Sequence, residues 1–185
     1  LPEGMIRHLP VLVPVIPMLL SPIAAAMPNW RAAWAVVLAG IIASGVCAFG
    51  LIDLVFGGHA AAGLPIQDLA KISDPDGTLI GIRYALGGWA PPLGIEFVVD
   101  KMNAPVLLLV TLIGTLATIF AMPTMVREIP VAKRSLFLSA YVLCVAGLLG
   151  VAVTGDAFNL FVFLEISSIS TYVLVALGGN QDRRR

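Results

Sequence analysis

Phe158-Asn159-Leu160-Phe161-Val162-Phe163-Leu164-Glu165-Ile166-Ser167-Ser168-Ile169-Ser170-Thr171-Tyr172-Val173-Leu174-Val175-Ala176-Leu177 is an apolar run with a carboxylate near its middle. A bilayer-spanning helix needs about 20 mainly apolar residues, so this stretch reads as a membrane helix. An acidic side chain at a helix centre costs about 2.5–3.5 kcal/mol on insertion scales, which demands a compensating role. An intramembrane carboxylate is by default a candidate proton or ion relay. The alternative is a buried hydrogen-bonding group that holds helices together.

The rest of the chain agrees with a membrane setting. Of 185 residues, 59% are hydrophobic and 12% charged, with a mean hydropathy of +0.98. A soluble domain carries about 25% charge. The formal net charge is zero, and no Lys/Arg-rich run with interleaved aromatics points to nucleic acid. Cys47 and Cys144 stand singly in apolar segments, and His8 and His59 are isolated without metal-ligand spacing. There is no soluble catalytic motif, no phosphate loop and no ligand set for flavin, haem or iron–sulfur. No catalytic, cofactor-binding or metal-binding residue is therefore expected.

The expected fold class is all-α integral membrane, with spans near 8–27, 32–57, 105–126, 135–154 and 157–178. Pro10, Pro14, Pro17 and Pro22 predict a first span that bends and leans on its neighbours. A signal peptide is the competing reading of that segment: Arg7, an apolar core, then Ala24-Ala25-Ala26. In the second span Gly40, Ser44 and Ala48 recur at four-residue steps, a stripe that admits close helix packing. Asp53 falls near the end of that span, within reach of the interface.

Arg31, Arg127, Lys133, Arg134 and Arg183 to Arg185 fall on one side if the spans alternate. The positive-inside rule makes that side cytoplasmic. The amino terminus, the 58–104 connection and the Thr154-Gly155-Asp156 turn then lie outside. Within that connection Asp74-Pro75-Asp76-Gly77 signals a turn. Leu79–Tyr84 and Ile95–Val99, flanking Gly87-Gly88-Trp89 and Pro91-Pro92, predict an outer-face β-hairpin. Trp89 reads as an interfacial anchor.

At 3.6 residues per turn, Phe158, Phe161, Val162, Ser168, Ile169 and Tyr172 share a face with Glu165. Ser168 and Tyr172 extend a polar strip toward the cytoplasmic end. Ser167, Ser170 and Thr171 add hydroxyls on adjoining faces, where bonds to the helix's own carbonyls compete with lining a path. Burial favours the protonated carboxyl and a nearby cation favours the charged one. At about 4 Å and an effective dielectric near 20, one unit charge is worth about 4 kcal/mol to another, enough to switch protonation. No lysine lies inside a span, because Lys71, Lys101 and Lys133 are in or beside loops. A cationic partner must therefore come from elsewhere.

Thr154-Gly155-Asp156-Ala157-Phe158-Asn159-Leu160-Phe161-Val162-Phe163-Leu164-Glu165, continuing through Ser170-Thr171-Tyr172-Val173-Leu174, resembles the fifth-helix motif of the antiporter-like membrane subunits. That family covers the D-type component of Mrp-type multisubunit cation/proton antiporters. It also covers proton-pumping membrane subunits of respiratory complex I (NADH-quinone oxidoreductase) and membrane-bound hydrogenases. Tyr84-Ala85-Leu86-Gly87-Gly88-Trp89, then Gly94-Ile95 and Val99-Asp100, resembles the outer hairpin before the family's third helix. The match runs over about residues 80–178, and the first two spans agree by pattern only.

The resemblance implies that Glu165 is a proton-translocating glutamate; the clustering of Ser168, Tyr172 and Thr171 beside it makes those hydroxyls candidates to line its path. Its lysine partner in the family lies on a later helix, so residues 1–185 would form the amino-terminal part of a larger subunit, a single membrane domain. The implied partners are other membrane subunits, the lipid bilayer, protons and Na+, in a cytoplasmic (inner) membrane. The implied function is cation/proton antiport; the alternatives are redox-driven proton pumping and a structural subunit without transport.

Overall fold

The computed structural model describes residues 8–56, 69–73, 79–89 and 94–178. Its helices are α1 (Leu9–Ala26), α2 (Trp30–Phe56), α3 (Asn103–Glu128), α4 (Val131–Val153) and α5 (Ala157–Gly178). Strands β1 (Leu69–Ser73), β2 (Leu79–Ala85) and β3 (Glu96–Asp100) lie between α2 and α3. All five helices are long and apolar enough to cross a membrane. The chain is a multi-pass membrane protein with the expected helical class.

Helix α1 continues through Pro14, Pro17 and Pro22, with Pro10 in its first turn, where no amide hydrogen is needed. Leu9, Val13, Pro17, Ser21 and Ala24 are buried at three- to four-residue spacing, forming one packed face. That face meets α2 and α4, so this segment is built into the bundle. Helix α4 starts four residues before the expected 135 because Pro130 takes an extended conformation at its N-cap (φ −56°, ψ 142°). Lys133 and Arg134 therefore sit in its first turn and lower the apparent hydrophobicity of a segment that is nevertheless helical.

Helix α4 is the hub, packing on all four other helices. Between apolar helices in lipid, association rests on close packing and interhelical hydrogen bonds rather than on exclusion of water. Both devices are present. Gly40, Ser44 and Ala48 are buried on α2, and a Cβ added at Gly40 would overlap Leu20 of α1. Ser21 Oγ donates to Ser139 O (3.1 Å), Trp34 Nε1 to Thr118 O (2.9 Å) and Tyr141 Oη to Gly114 O (2.7 Å). Such bonds contribute about 0.6 kcal/mol each on average inside membranes.

The expected hairpin is the β2–β3 pair, antiparallel with Ile82 opposite Val99 and Tyr84 opposite Phe97. Gly87 (φ 67°) and Gly88 (φ 76°) turn the chain in a conformation other residues rarely adopt, and Leu86 N–H donates to Ile95 O at 2.9 Å. The sheet is larger than expected: β1 adds a third antiparallel strand, in the order β1-β2-β3. Its short Leu69-Ala70-Lys71-Ile72-Ser73 run has too little alternation to stand out in the sequence. The Asp74–Gly77 turn, Pro91-Pro92, His59 and Arg183–Arg185 lie outside the described residues.

Ile82, Phe97 and Val99 bury the sheet against the bundle end where α1, α3 and α5 begin. There His8 Nδ1 and Tyr84 Oη share a 2.8 Å hydrogen bond. At the opposite end Ser135 Oγ, near the start of α4, donates to Met27 O (2.9 Å) at the end of α1. Arg134 is buried there, donating from Nε to Ile129 O (2.9 Å) and from Nη2 to Val126 O (2.8 Å). It thus satisfies carbonyls left open at the end of α3, and its guanidinium lies 4.9 Å from the Trp30 ring centroid. The cations of the two short loops do share one end, opposite the sheet.

Candidate functional site

Helix α5 rests on α4 through a glycine seam. A Cβ added at Gly147 would lie 2.8 Å from Ser167 N and 3.0 Å from Phe163 O, and one at Gly150 would overlap the Phe163 ring. Only small residues let the two backbones come this close. Asn159, Phe163 and Ser170 are the buried residues of α5. Glu165 follows Phe163 by two positions, about 200° around the helix, so it points away from the bundle.

The face grouped around Glu165 in the sequence is real and uncovered. Phe158, Phe161 and Tyr172 are 73%, 68% and 72% exposed, and Val162, Glu165, Ser168 and Ile169 are exposed beside them. A groove of about 480 Å³ runs between this face and Leu143 of α4, with Glu165 its one ionisable lining group. Among the described residues, neither a hydrogen bond nor an ion pair holds the carboxylate.

The hydroxyls divide into two sets. Glu165, Ser168 and Tyr172 lie together on the uncovered face. Ser170 is turned inward and donates to Ile166 O at 2.6 Å, and Thr171 Oγ1 donates to Ser167 O at 2.8 Å. Thr171 also sits 3.4 Å from Cys144 Sγ, at the border of the α4 contact. Its hydroxyl is therefore partnered by its own helix. Asp53 is exposed near the end of α2, and Cys47 and Cys144 are free and half-buried.

Two supports of the site have roles that the sequence reading does not assign. One is the Gly147/Gly150 seam, whose signal is a pair of glycines three residues apart in an apolar span. The other is the start of α5, where Asp156 Oδ2 accepts from Asn159 N–H at 3.0 Å. That is a helix N-cap, readable from an acid three residues before a polar residue at a helix start.

No family model matches the chain. Individual relatives do. The chain is 44% identical over 99 residues to the N-type component of NADH-quinone oxidoreductase from Desulforudis audaxviator, covering 54% of this chain and 20% of that protein. It is 36% identical over 100 residues to the D-type component of the Na(+)/H(+) antiporter from Alkalihalophilus pseudofirmus, again 54% of this chain and 20% of the relative. Over about half of its length the chain is thus similar both to a quinone oxidoreductase component and to a Na(+)/H(+) antiporter component. The corresponding D-type Na(+)/H(+) antiporter protein of Bacillus subtilis matches at 33% over 101 residues, 55% of this chain and 20% of the relative. In each case the match spans 20% of the relative's length.

The fold is shared with a chain of the Mrp complex from a Dietzia species, with a TM-score of 0.70 and 24% identity, over 92% of this chain and 27% of that one. A chain of an archaeal membrane-bound sulfane sulfur reductase aligns with a TM-score of 0.61 and 23% identity, over 97% and 30% respectively. At these identities the likeness concerns the fold alone.

Proposed function

We propose that this chain is the amino-terminal part of a subunit of a multisubunit monovalent cation/proton antiporter, in which Glu165 takes up and releases the proton. The supporting observation is the carboxylate itself: an acid in mid-span on an uncovered face, with no described partner. Leaving such a group in hydrocarbon is costly, so a function needs the face to be covered by protein or water. A cation brought near it lowers its proton affinity, and withdrawal of that cation restores it. Ser168 and Tyr172 continue the same face and would carry water or protons onward, with Thr171 at its border.

Sodium is the cation favoured by the names of two relatives, both components of Na(+)/H(+) antiporters. The partners are other membrane subunits in a cytoplasmic membrane. The end bearing Arg31, Arg127, Lys133 and Arg134 faces the cytoplasm, and the sheet faces outward. A second reading has its own support, because the 44% match is to a component of a quinone oxidoreductase. There the same glutamate would pump protons driven by electron transfer in other subunits.

The test is sodium-driven proton movement in everted membrane vesicles carrying the complete complex, with no electron donor present. The expected result is exchange in the native protein and none in Glu165→Gln, with assembly preserved. Full exchange in the Gln variant would sink the reading. Proton movement that requires an electron donor, yet still needs Glu165, would favour redox-driven pumping.

A further inference from the structure

The sequence motif that ends in Glu165 begins with Thr154-Gly155-Asp156, whose chemistry a proton relay does not use. In the structure this turn is bound to the sheet. Thr154 forms an antiparallel β-bridge with Phe97, and Gly155 N–H donates to Glu96 O at 2.9 Å. A Cβ added at Gly155 would overlap Val98 and lie 3.2 Å from Glu96 Cγ. Gly155 has no positive φ, so its requirement is space rather than backbone conformation.

The same turn fixes the start of α5. Asn159, buried, donates from Nδ2 to Thr154 Oγ1 at 3.0 Å, while its backbone N–H is capped by Asp156. One helical turn further, Phe163 is buried with its ring 6.3 Å from that of Phe97. Strand β3 is itself anchored to α3: Asn103 Nδ2 donates to Val98 O at 2.6 Å, and Asp100 N–H donates to Asn103 Oδ1 at 2.8 Å. A continuous set of contacts therefore runs from α3 through β3 to the back of α5.

Glu165 lies about 12 Å along α5 from Ala157, and on the side opposite Phe163. Depth is set by the turn and rotation by Phe163. We infer that β3 and the 154–156 turn form a register clamp that fixes the depth and rotation of Glu165, making Gly155, Phe97 and Phe163 positioning residues for its proton transfer. This rests on the relay reading above, but the clamp makes a separate geometric claim. A misplacement of about 1 Å can cost about 10²-fold in a positioned reaction.

The experiment uses the assembled complex and variants Gly155→Val and Phe97→Leu, with Gly178→Ala as a control because nothing lies within 4 Å of that position. Three quantities are read: exchange rate, its pH profile, and the rate at which a lipophilic carbodiimide labels Glu165. Co-purification of partner subunits reports assembly. The expected result is about a 10- to 100-fold loss of exchange with a displaced pH profile and an altered labelling rate, assembly being retained. A loss of rate alone, with the native profile and labelling, would overturn the clamp and leave a structural role. So would native behaviour of both variants. Where Gly155→Val does not assemble, Phe97→Leu decides. Altered labelling in a complex whose exchange survives Glu165→Gln would keep the clamp and reject the relay.

Discussion

Helices α4 and α5 are similar in length and in apolar character, yet 56% of the spanning window of α4 is buried within the chain against 11% for α5. Hydropathy therefore reports that both cross the membrane and nothing about what covers them. The burial follows from position and side-chain size. Helix α4 offers Ala146, Gly147 and Gly150 to neighbours that approach closely, while α5 presents Phe158, Phe161 and Tyr172 outward. The single mid-span carboxylate lies on the helix with little cover. A mid-span acid and an uncovered face coincide.

Breaking the buried side of this contrast has the largest effect on stability. Leu149 of α4 is fully buried, so Leu149→Ala is expected to lower unfolding stability by about 2–5 kcal/mol, measured by denaturant titration in detergent. A loss comparable to that at an exposed site would mean that α4 is not the hub. Gly147→Val attacks the seam between the two helices, and the atoms met there are backbone, which cannot swing aside. About 1–3 kcal/mol of destabilisation is expected in the same titration, and unchanged stability would refute the close approach.

Phe161→Ala on the uncovered face is expected to change the stability of this chain by no more than about 0.5 kcal/mol. In the assembled complex the same substitution should cost clearly more. An equally small effect there would mean that lipid, not protein, covers the face.

Much of this is legible in the sequence, for identifiable reasons. The spans follow from length and apolarity, and a helical wheel correctly groups Phe158, Phe161, Ser168 and Tyr172 around Glu165. The β2–β3 pair is visible because Gly87-Gly88 separates two β-rich runs. Strand β1 is not, being short and defined by its pairing with β2. Arg134 reads as a loop cation, but its role depends on where the carbonyls of Val126 and Ile129 fall in space. The docking of the 154–156 turn on β3 joins residues far apart in the chain, which no local pattern can register. The orientation of Glu165 away from the bundle is equally hidden, because periodicity groups a face without saying which way it looks.

The most direct test of the relay is pH-difference infrared spectroscopy of the complete complex in membranes, comparing native protein with Glu165→Gln. A relay at Glu165 gives a carboxyl carbonyl band that changes with pH or with the sodium gradient in the native complex and is missing in the variant. Identical difference spectra for the two would contradict it, because the proton would then move without residing on Glu165.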